Sequence, residues 1–486
     1  MARSAVECPE LSTVILSVAA AVIMAWASPT VAQVSNPAYV EGYGKDATGG
    51  AGQIVYTVDD PSPGFGASTP SNPLNHGTFE GALFQVWRGN ILQDIHIVFA
   101  VSSFSMNQGG VYIGRNVTID GCENGQNGVT FDMGGVGDVR GSPSQPPSKM
   151  GFALFEGSSN VIIRCLNFIG YGWGGIEYMN GQPNPAAMPQ TNAIWLEVGL
   201  NTPGGVIENI LIDRCTFTRI SNKAIDITTG GGLTGRTRNV TVQRSLFHDN
   251  ARVSHIKYAN GTDTVREKIS YHHNVFVHNA ERQPQIVDTV GPFDYVNNIV
   301  YANTGDVLAD SSGEAVDTYG IRVWNTSGYG QIGRGGAAYD PYYGQATINI
   351  EGNAFLGTGG SVLLLVDSDI PGDPAPAGIS AIYVSADNYF QGAQNRPELR
   401  RLTRYDSQHD YISSNPSIPL NTQNSIPTQY QVATRTAVTN MASQMLPYIG
   451  APNRTALDTQ RINEVASRLP SSGSSLPVAP SNLTVR

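Results

Sequence analysis

The residues best equipped for chemistry crowd into one part of a 486-residue chain. They are Phe247-His-Asp-Asn-Ala-Arg252, Tyr271-His-His-Asn274 and Arg282-Gln-Pro284, with Asn222-Lys-Ala-Ile-Asp226 shortly upstream. A histidine pair can move protons near neutral pH. His272 and His273, however, fall inside a strand-like alternation, where a fixed place in a stack of strands explains them better than catalysis does. Arg252 and Arg282 carry guanidinium groups, which when free are almost always protonated and can hold a carboxylate through two parallel bonds. Their plain alternatives are a surface charge and a structural ion pair. Other chemistries lack their parts. There is no phosphate loop, zinc-protease helix or paired-cysteine metal pattern, and no nucleophile elbow. Glycoside hydrolysis needs two carboxylates flanking the bond, and no strand carries a clustered aspartate pair.

The elements that must position these residues repeat along the chain. Asn116-Val-Thr-Ile-Asp, Asn160-Val-Ile-Ile-Arg-Cys165, Asn209-Ile-Leu-Ile-Asp-Arg-Cys215 and Asn239-Val-Thr-Val-Gln-Arg-Ser245 are self-similar. The series continues through Lys268-Ile-Ser-Tyr-His-His-Asn274, Phe293-Asp-Tyr-Val-Asn-Asn298, Thr347-Ile-Asn-Ile-Glu-Gly-Asn353 and Ile382-Tyr-Val-Ser-Ala-Asp-Asn388. Each run is short, β-branched and alternating, so each predicts a strand. An apolar residue follows two positions later at Phe217, Phe247, Phe276, Val300, Phe355 and Phe390. The central period is about 25–30 residues, the range of stacked coils. One coil cannot bury its own apolar face, but neighbours stacked side by side share a continuous core. The leucine-rich pattern is absent, and a propeller blade needs more residues, so the period predicts a parallel β-helix. Asn274, Asn298, Asn353 and Asn388 take one repeat position, with Cys165, Cys215 and Ser245 expected there in earlier coils. Stacked amides at such a position satisfy polar groups inside the coil.

Two long interruptions, Tyr171–Gln190 with Trp173 and Tyr178, and Trp324–Gln345 with Tyr329, Tyr339, Tyr342 and Tyr343, supply aromatic rings. These either stack on a ligand or pack their own loops. From about Arg400 the strand rhythm stops. Met441–Pro447 and Thr455–Leu469 read as weakly helical, and the end from Pro470 is rich in Ser and Pro. The expected organisation is a leader over 1–32, a coil domain over 33–400, and a tail over 401–486 whose short helices pack on the coils.

Composition narrows the setting. Charged residues make up 14% and hydrophobic ones 40%, which excludes a disordered polyanion. The net charge of −10 argues against a nucleic-acid groove and requires any site for an acidic polymer to be a local basic patch. Arg3, the apolar run Val14–Trp26 and small residues up to Ala32 read as an export signal, cut after Ala32 or Ala27. The run is too short for a confident membrane span. Of the four cysteines, Cys8 belongs to the leader. Cys122, Cys165 and Cys215 remain, either with a Cys165–Cys215 bridge or as three buried thiols.

Taken in order, Asp213-Arg-Cys-Thr-Phe217, Asn222-Lys-Ala-Ile-Asp226-Ile-Thr, Phe247-His-Asp-Asn-Ala-Arg252-Val, His272-His-Asn-Val-Phe, Arg282-Gln-Pro284 and Asn297-Asn-Ile-Val-Tyr301 resemble the pectate lyase family. The similarity covers roughly Asn116 to Thr304. Leu446-Pro-Tyr-Ile-Gly-Ala451 with Ala456-Leu-Asp-Thr-Gln-Arg-Ile462 echoes the tail of many bacterial members. The resemblance implies a right-handed parallel β-helix, a secreted monomer without nucleic-acid or membrane partners, and an acidic polysaccharide as substrate. It implies β-elimination: a base removes the C5 proton beside the uronate carboxylate and the C4 oxygen leaves. Positive charge on that carboxylate stabilises the anion that develops, and calcium held by carboxylates often supplies it. By this resemblance Arg282 is the base, which demands a cationic, partly desolvated setting. Arg252 falls where the family usually has a lysine that binds the substrate carboxylate.

The departures are informative. The family's second arginine, five residues beyond the catalytic one, is Val287 here, with Lys257 and Arg334 as candidate substitutes for binding substrate. Of the family's calcium acids, Asp226 keeps its place, while the others fall at the neutral Asn222 and Asn192. Calcium is then expected to bind weakly and together with substrate carboxylates, or Lys223 supplies the positive charge itself. The latter would resemble the calcium-independent pectin lyases. A non-catalytic saccharide-binding β-helix is the remaining alternative.

Overall fold

The computed structural model describes residues 40–85, 91–135, 148–170, 190–198, 204–229, 235–257, 265–279, 282–287, 291–301, 319–325, 346–357, 362–368, 381–385, 387–391 and 432–471, with short strand pieces at 178–179, 182–183, 308–309, 315–316, 400–401 and 412–413. The expected leader and most of the two aromatic loops lie outside these residues, as does the chain after Ser471. Among the described residues no helix is long and apolar enough to cross a membrane.

The chain winds as a right-handed parallel β-helix. Its three parallel sheets hold eleven, nine and nine strands among the described residues. One coil shows the order. Gly205–Asp213 lies in the first sheet, Thr216–Thr218 in the second and Lys223–Thr229 in the third. The next coil repeats it with Gly235–Gln243, Leu246–His248 and Ser254–Lys257, in register. Alternation explains the first sheet. Val117 and Ile119, Val161 and Ile163, Ile210 and Ile212, Val240 and Val242, and Ile269 and Tyr271 all enter the shared core. The intervening Thr118, Ile162, Leu211, Thr241 and Ser270 face outward yet are buried.

What covers them is the N-terminal segment from Val40 to Gly50. Tyr43 N donates to Ser270 Oγ at 3.2 Å, Gly44 N to Thr241 Oγ1 at 2.8 Å and Gly50 N to Thr118 Oγ1 at 2.9 Å. Backbone contacts this close need glycine: a Cβ on Gly44 would lie 2.2 Å from the Ile210 carbonyl oxygen.

The corner between first and second sheets sets the coil geometry. Arg214, Arg244, His273 and Asn297 stand there in the left-handed region, with φ of 51°, 49°, 54° and 52°. The following residue makes the expected amide ladder. Asn274 N, Asn298 N and Asn353 N donate to the side-chain oxygens of Asn298, Asn353 and Asn388 at 3.0, 2.7 and 2.9 Å. Each amide nitrogen also reaches back to a strand carbonyl, such as Asn274 Nδ2 to Val242 O at 2.9 Å. Ser245 and Cys215 continue the ladder, Cys215 N donating to Ser245 Oγ at 3.2 Å. Cys165 does not belong to it. The pairings Arg164 with Asp213 and Asn167 with Thr216 place Leu166 opposite Cys215, and Cys165 at the positive-φ corner.

That placement also corrects the cysteine pairing. Cys165 bonds to Cys122, not to Cys215. Cys122 sits in the turn after the strand Arg115–Asp120, its N–H held by Asp120 Oδ1 at 2.8 Å, beside the Cys165 corner of the next coil. Cys215 remains a buried thiol whose Sγ faces the Ile163 and Asp213 carbonyls. One step further along, the expected aromatic position forms a stack. Phe168, Phe217, Phe247 and Phe276 lie with centroids 4.9, 4.8 and 5.0 Å apart, the spacing of adjacent strands.

The tail packs on the outside of the second sheet. Val438, Met441, Met445, Leu446, Ile449, Ile462 and Val465 cover Leu246, Val275, Val277, Ile299 and Leu356. The helix Ala456–Ala466 begins with a capping box in which Thr455 and Asp458 satisfy each other's backbone N–H. Asp458 then does a second job. Its Oδ1 lies 2.6 Å from Nε2 of His248, whose Nδ1 is 2.7 Å from Asp249 Oδ2, and His248 and Asp458 are fully buried. Arg461 holds Asp249 from the same helix at 2.7 Å, and Glu464 meets His278 at 2.6 Å.

Candidate functional site

The third sheet carries the sequence-derived candidates on its outer face. Ile227, Ile256 and Ile286 turn into the core. Their predecessors Asp226, His255 and Gln285 therefore point outward and are register partners on successive coils, with Trp195 one coil earlier. A second row runs beside the first. Asn192, Lys223, Arg252 and Arg282 each stand three residues ahead of Trp195, Asp226, His255 and Gln285. Asn192 and Lys223 pair directly. The Arg252 carbonyl accepts from Ala224 N at 3.2 Å and the Arg282 carbonyl from Ser254 N at 2.8 Å, which fixes both arginines to the preceding coil. Three cationic residues thus enter three consecutive strands at the same point, the local basic patch that an acidic chain needs to meet an anion.

Charge within the patch is partly balanced. Lys223 Nζ is 2.6 Å from Asp226 Oδ2. His255 Nδ1 stands 3.6 Å from Asp226 Oδ1, beyond hydrogen-bond reach. Burial alone would raise the Asp226 carboxyl, but His255 and Lys223 outweigh it and hold it below the usual carboxylate range. Burial, with help from Arg282 and Lys223 and against Asp226, pushes His255 down to about 4. The imidazole is therefore neutral at neutral pH. Arg252 Nη1 donates to Asn222 Oδ1 at 3.4 Å. Arg282 takes a left-handed φ of 66° at the turn into its strand.

These donors do not fit calcium. The ion takes six to eight oxygens, with carboxylates supplying the charge. Asp226 is the only acid among the three expected ligands, and an ammonium already binds one of its oxygens. Asn222 accepts from Arg252, and Asn192 is neutral, its buried Oδ1 without a partner among the described residues. A different polar cluster, His96 and Asp120 on the first sheet with Glu123 in the turn that follows, has its cation built in. Arg164 binds Asp120 and lies 3.2 Å from Glu123.

The remaining candidates separate. Lys257 ends the strand Ser254–Lys257, with its side chain outside the described residues, and Arg334 lies outside them altogether. Val287, in place of a second arginine, closes the strand Gln285–Val287. His272 and His273 belong to the first-sheet corner. They are buried, with their Nδ1 atoms 3.0 Å apart, and burial and Arg244 push His272 down to about 3. Sequence reasoning missed His255 and Gln285. The signal was the doublet of one polar residue before isoleucine, Asp226-Ile227, His255-Ile256 and Gln285-Ile286, at one place in three coils.

Solved structures resemble this fold across most of their length. The major allergen from cedar pollen superposes with a TM-score of 0.50 at 16% identity, over 85% of this chain and 92% of that one. A thermostable pectate lyase gives 0.43 at 14%, over 86% and 98%. Pectate lyase II from Xanthomonas campestris gives 0.41 at 15%, over 85% and 98%. No protein-family model matches the chain, and no curated protein matches it in sequence. The chain is a right-handed parallel β-helix of the kind that pectate lyases build.

Proposed function

We propose that this protein is an exported, monomeric polysaccharide lyase that cleaves pectate or a related polyuronate by β-elimination. The observation that carries the reading is the row Lys223, Arg252 and Arg282, brought to one edge of the third sheet by three consecutive coils. In this reading Arg282 abstracts the C5 proton and Arg252 holds the substrate carboxylate through paired hydrogen bonds. Lys223, beside Asp226, adds the fixed positive charge that stabilises the anion as it develops. Lys257 and Arg334 are candidates for further substrate contacts. The Lys223–Asp226 pair and the two neutral asparagines favour a lyase that works without calcium. Export is supported by the Cys122–Cys165 disulfide, since such bonds persist in oxidising compartments.

The test is a panel of uronate polymers, differing in methylation, scored for unsaturated product by near-ultraviolet absorbance with and without a chelator. The expected result is product formation insensitive to the chelator. It should be lost in Arg282→Ala by at least ~100-fold, the scale of removing a central catalytic group, with the thermal transition unchanged. An active Arg282→Ala variant sinks the assignment of the base. Reducing ends without unsaturation would indicate hydrolysis instead, and binding without turnover a non-catalytic protein.

A further inference from the structure

The outer face of the third sheet changes character where the basic row stops. Lys223, Arg252 and Arg282 enter three consecutive coils, whereas the two coils before them offer Asn192 and Met150 at the same place. The row beside it changes too. Asp226 has Trp195 as its register partner, Trp195 has Ala153, and Ala153 has Tyr112. These last three point outward, because Ile194 and Leu196, Phe152 and Leu154, and Val111 and Ile113 turn into the core. The methyl of Ala153 leaves room between two large rings, and Phe155 fills it. Its ring centroid lies 5.2 Å from that of Tyr112 and 6.0 Å from that of Trp195, edge-on to the latter. None of the three rings is sealed: Tyr112, Phe155 and Trp195 all keep part of their surface exposed. The Tyr112 hydroxyl donates to the Glu156 carbonyl at 3.1 Å, so the cluster presents mainly aromatic carbon. Glu156 follows Phe155, and Glu197 stands two residues after Trp195 on the same outward side. A free carboxylate brought to the rings has two acids beside it and gains nothing from apolar contact, whereas the C–H face of an uncharged pyranose does gain.

We infer that Tyr112, Phe155 and Trp195 form a binding subsite for an uncharged pyranose unit, next to a free uronate of the same polymer held by the basic row. The inference rests on the proposed lyase reading and narrows its substrate to a polymer that carries both kinds of unit. Adjacent strands are ~4.8 Å apart, about the length of one unit in such a chain. A polymer laid along the stack of coils therefore passes from the rings to the cations in neighbouring units. The uncharged unit has two sources, a methyl-esterified uronate or a neutral sugar set between uronates. Both offer the same apolar ring face without a charge.

The experiment compares the full mature protein with Trp195→Ala, Trp195→Phe and Phe155→Ala. The probes are polygalacturonate, a partly methyl-esterified pectin, a fully esterified pectin, and a rhamnogalacturonan backbone in which uronate and neutral sugar alternate. KM and kcat are read from unsaturated product, and the thermal transition is measured for each variant. The wild-type protein should show its lowest KM on one of the two mixed polymers, and which one it is names the source of the uncharged unit. Trp195→Ala should raise KM on that polymer about tenfold, the effect of losing ~55 Å² of apolar contact, while KM on polygalacturonate stays within about threefold. The kcat values should change less than KM. Trp195→Phe keeps a ring and should keep most of the binding. Phe155→Ala should act in the same direction, and it carries the test if Trp195→Ala fails to fold. A wild-type preference for polygalacturonate or for the fully esterified polymer overturns the inference and leaves the lyase reading intact. So do equal losses on all four polymers, or a Phe155→Ala variant that lowers the thermal transition with KM unchanged. A wild-type protein that forms no unsaturated product from any of the four overturns the lyase reading itself, and the subsite falls with it.

Discussion

Replacing Asp458 by asparagine removes one charge from a place where no water compensates for it. Asp458 and His248 are both fully buried, 2.6 Å apart, and join the tail helix to the second sheet. Burial opposes a charged imidazole, yet Asp249 and Asp458 together hold His248 above its ordinary value. Asp249 is itself pulled down to about 2, against burial, by His248 and Arg461. Breaking a buried pair from one side costs about 3–5 kcal/mol, and His248 keeps Asp249, so the lower figure of about 3 kcal/mol applies. Asparagine keeps the shape and a carbonyl oxygen for the Thr455 N–H, so the capping box survives in outline. The loss should appear as local undocking of Ala456–Ala466 ahead of the coils. Hydrogen exchange of those helix amides, corrected for intrinsic rates, should accelerate ~100-fold, since each 1.4 kcal/mol is a factor of ten. The coil strands should be unchanged. On a His248→Gln background the same substitution should add little, because its partner charge is already gone. Helix exchange within threefold of wild type in Asp458→Asn would refute the reasoning. The pH dependence has two sides. The raised His248 contributes docking that is fully present below 6.5 and lost as pH rises through its folded value. The lowered Asp249 and Asp458 contribute docking that is present above 3.8 and lost as pH falls through theirs. Protection of the helix should therefore peak between these ranges.

Asp294, outward on the first sheet and buried, is pushed up to about 7, chiefly by burial, with its Oδ1 accepting from Asn349 at 3.1 Å. The folded state keeps its proton longer than the unfolded chain does, so this group's stability contribution is full below 3.8 and is lost by about pH 7. Asp294→Asn should raise the thermal transition at pH 8 and leave it nearly unchanged at pH 4; equal shifts at both would contradict the account. Asn298→Ala strips partners from Asn274 N and Nδ2 and from the Tyr271 carbonyl. At about 1–3 kcal/mol for each buried group left unmet, urea unfolding should show a loss of at least ~3 kcal/mol, and a loss below 1 would count against the ladder as a structural device.

The fold was legible because its strands announce themselves: Val117-Thr-Ile119 and Ile210-Leu-Ile212 alternate at a steady interval, and the asparagine and phenylalanine positions recur with them. The one-residue error at Cys165 arose where Asn160 begins its repeat five residues before the cysteine and Asn209 six. Both cysteines then looked equivalent, although one turns a corner with φ of 57° and the other fills the ladder. The third sheet was harder to read. Ser254–Lys257 and Gln285–Val287 are four and three residues long, too short to show a period, and their outward positions hold His255 and Gln285 instead of a regular polar face. Lys223, Asp226, Arg252 and Arg282 were found from their order in the chain. That Lys223 binds Asp226, however, is seen only in the folded chain, where Ala224 and Ile225 between them both enter the core. His248 and Asp458 are 210 residues apart, and no local pattern links them.

The amide ladder has a consequence for how such a molecule can change. Asn274 and Asn298 are separated by 24 residues, Asn298 and Asn353 by 55, yet both steps close with nearly the same hydrogen bond, at 3.0 and 2.7 Å. The corner fixes where each turn of chain begins and is indifferent to how much chain is spent before the next. Whole segments can therefore be inserted or deleted between rungs while the frame keeps its shape. New binding surfaces can be tried on such a scaffold one loop at a time, each variant inheriting a chassis that already folds.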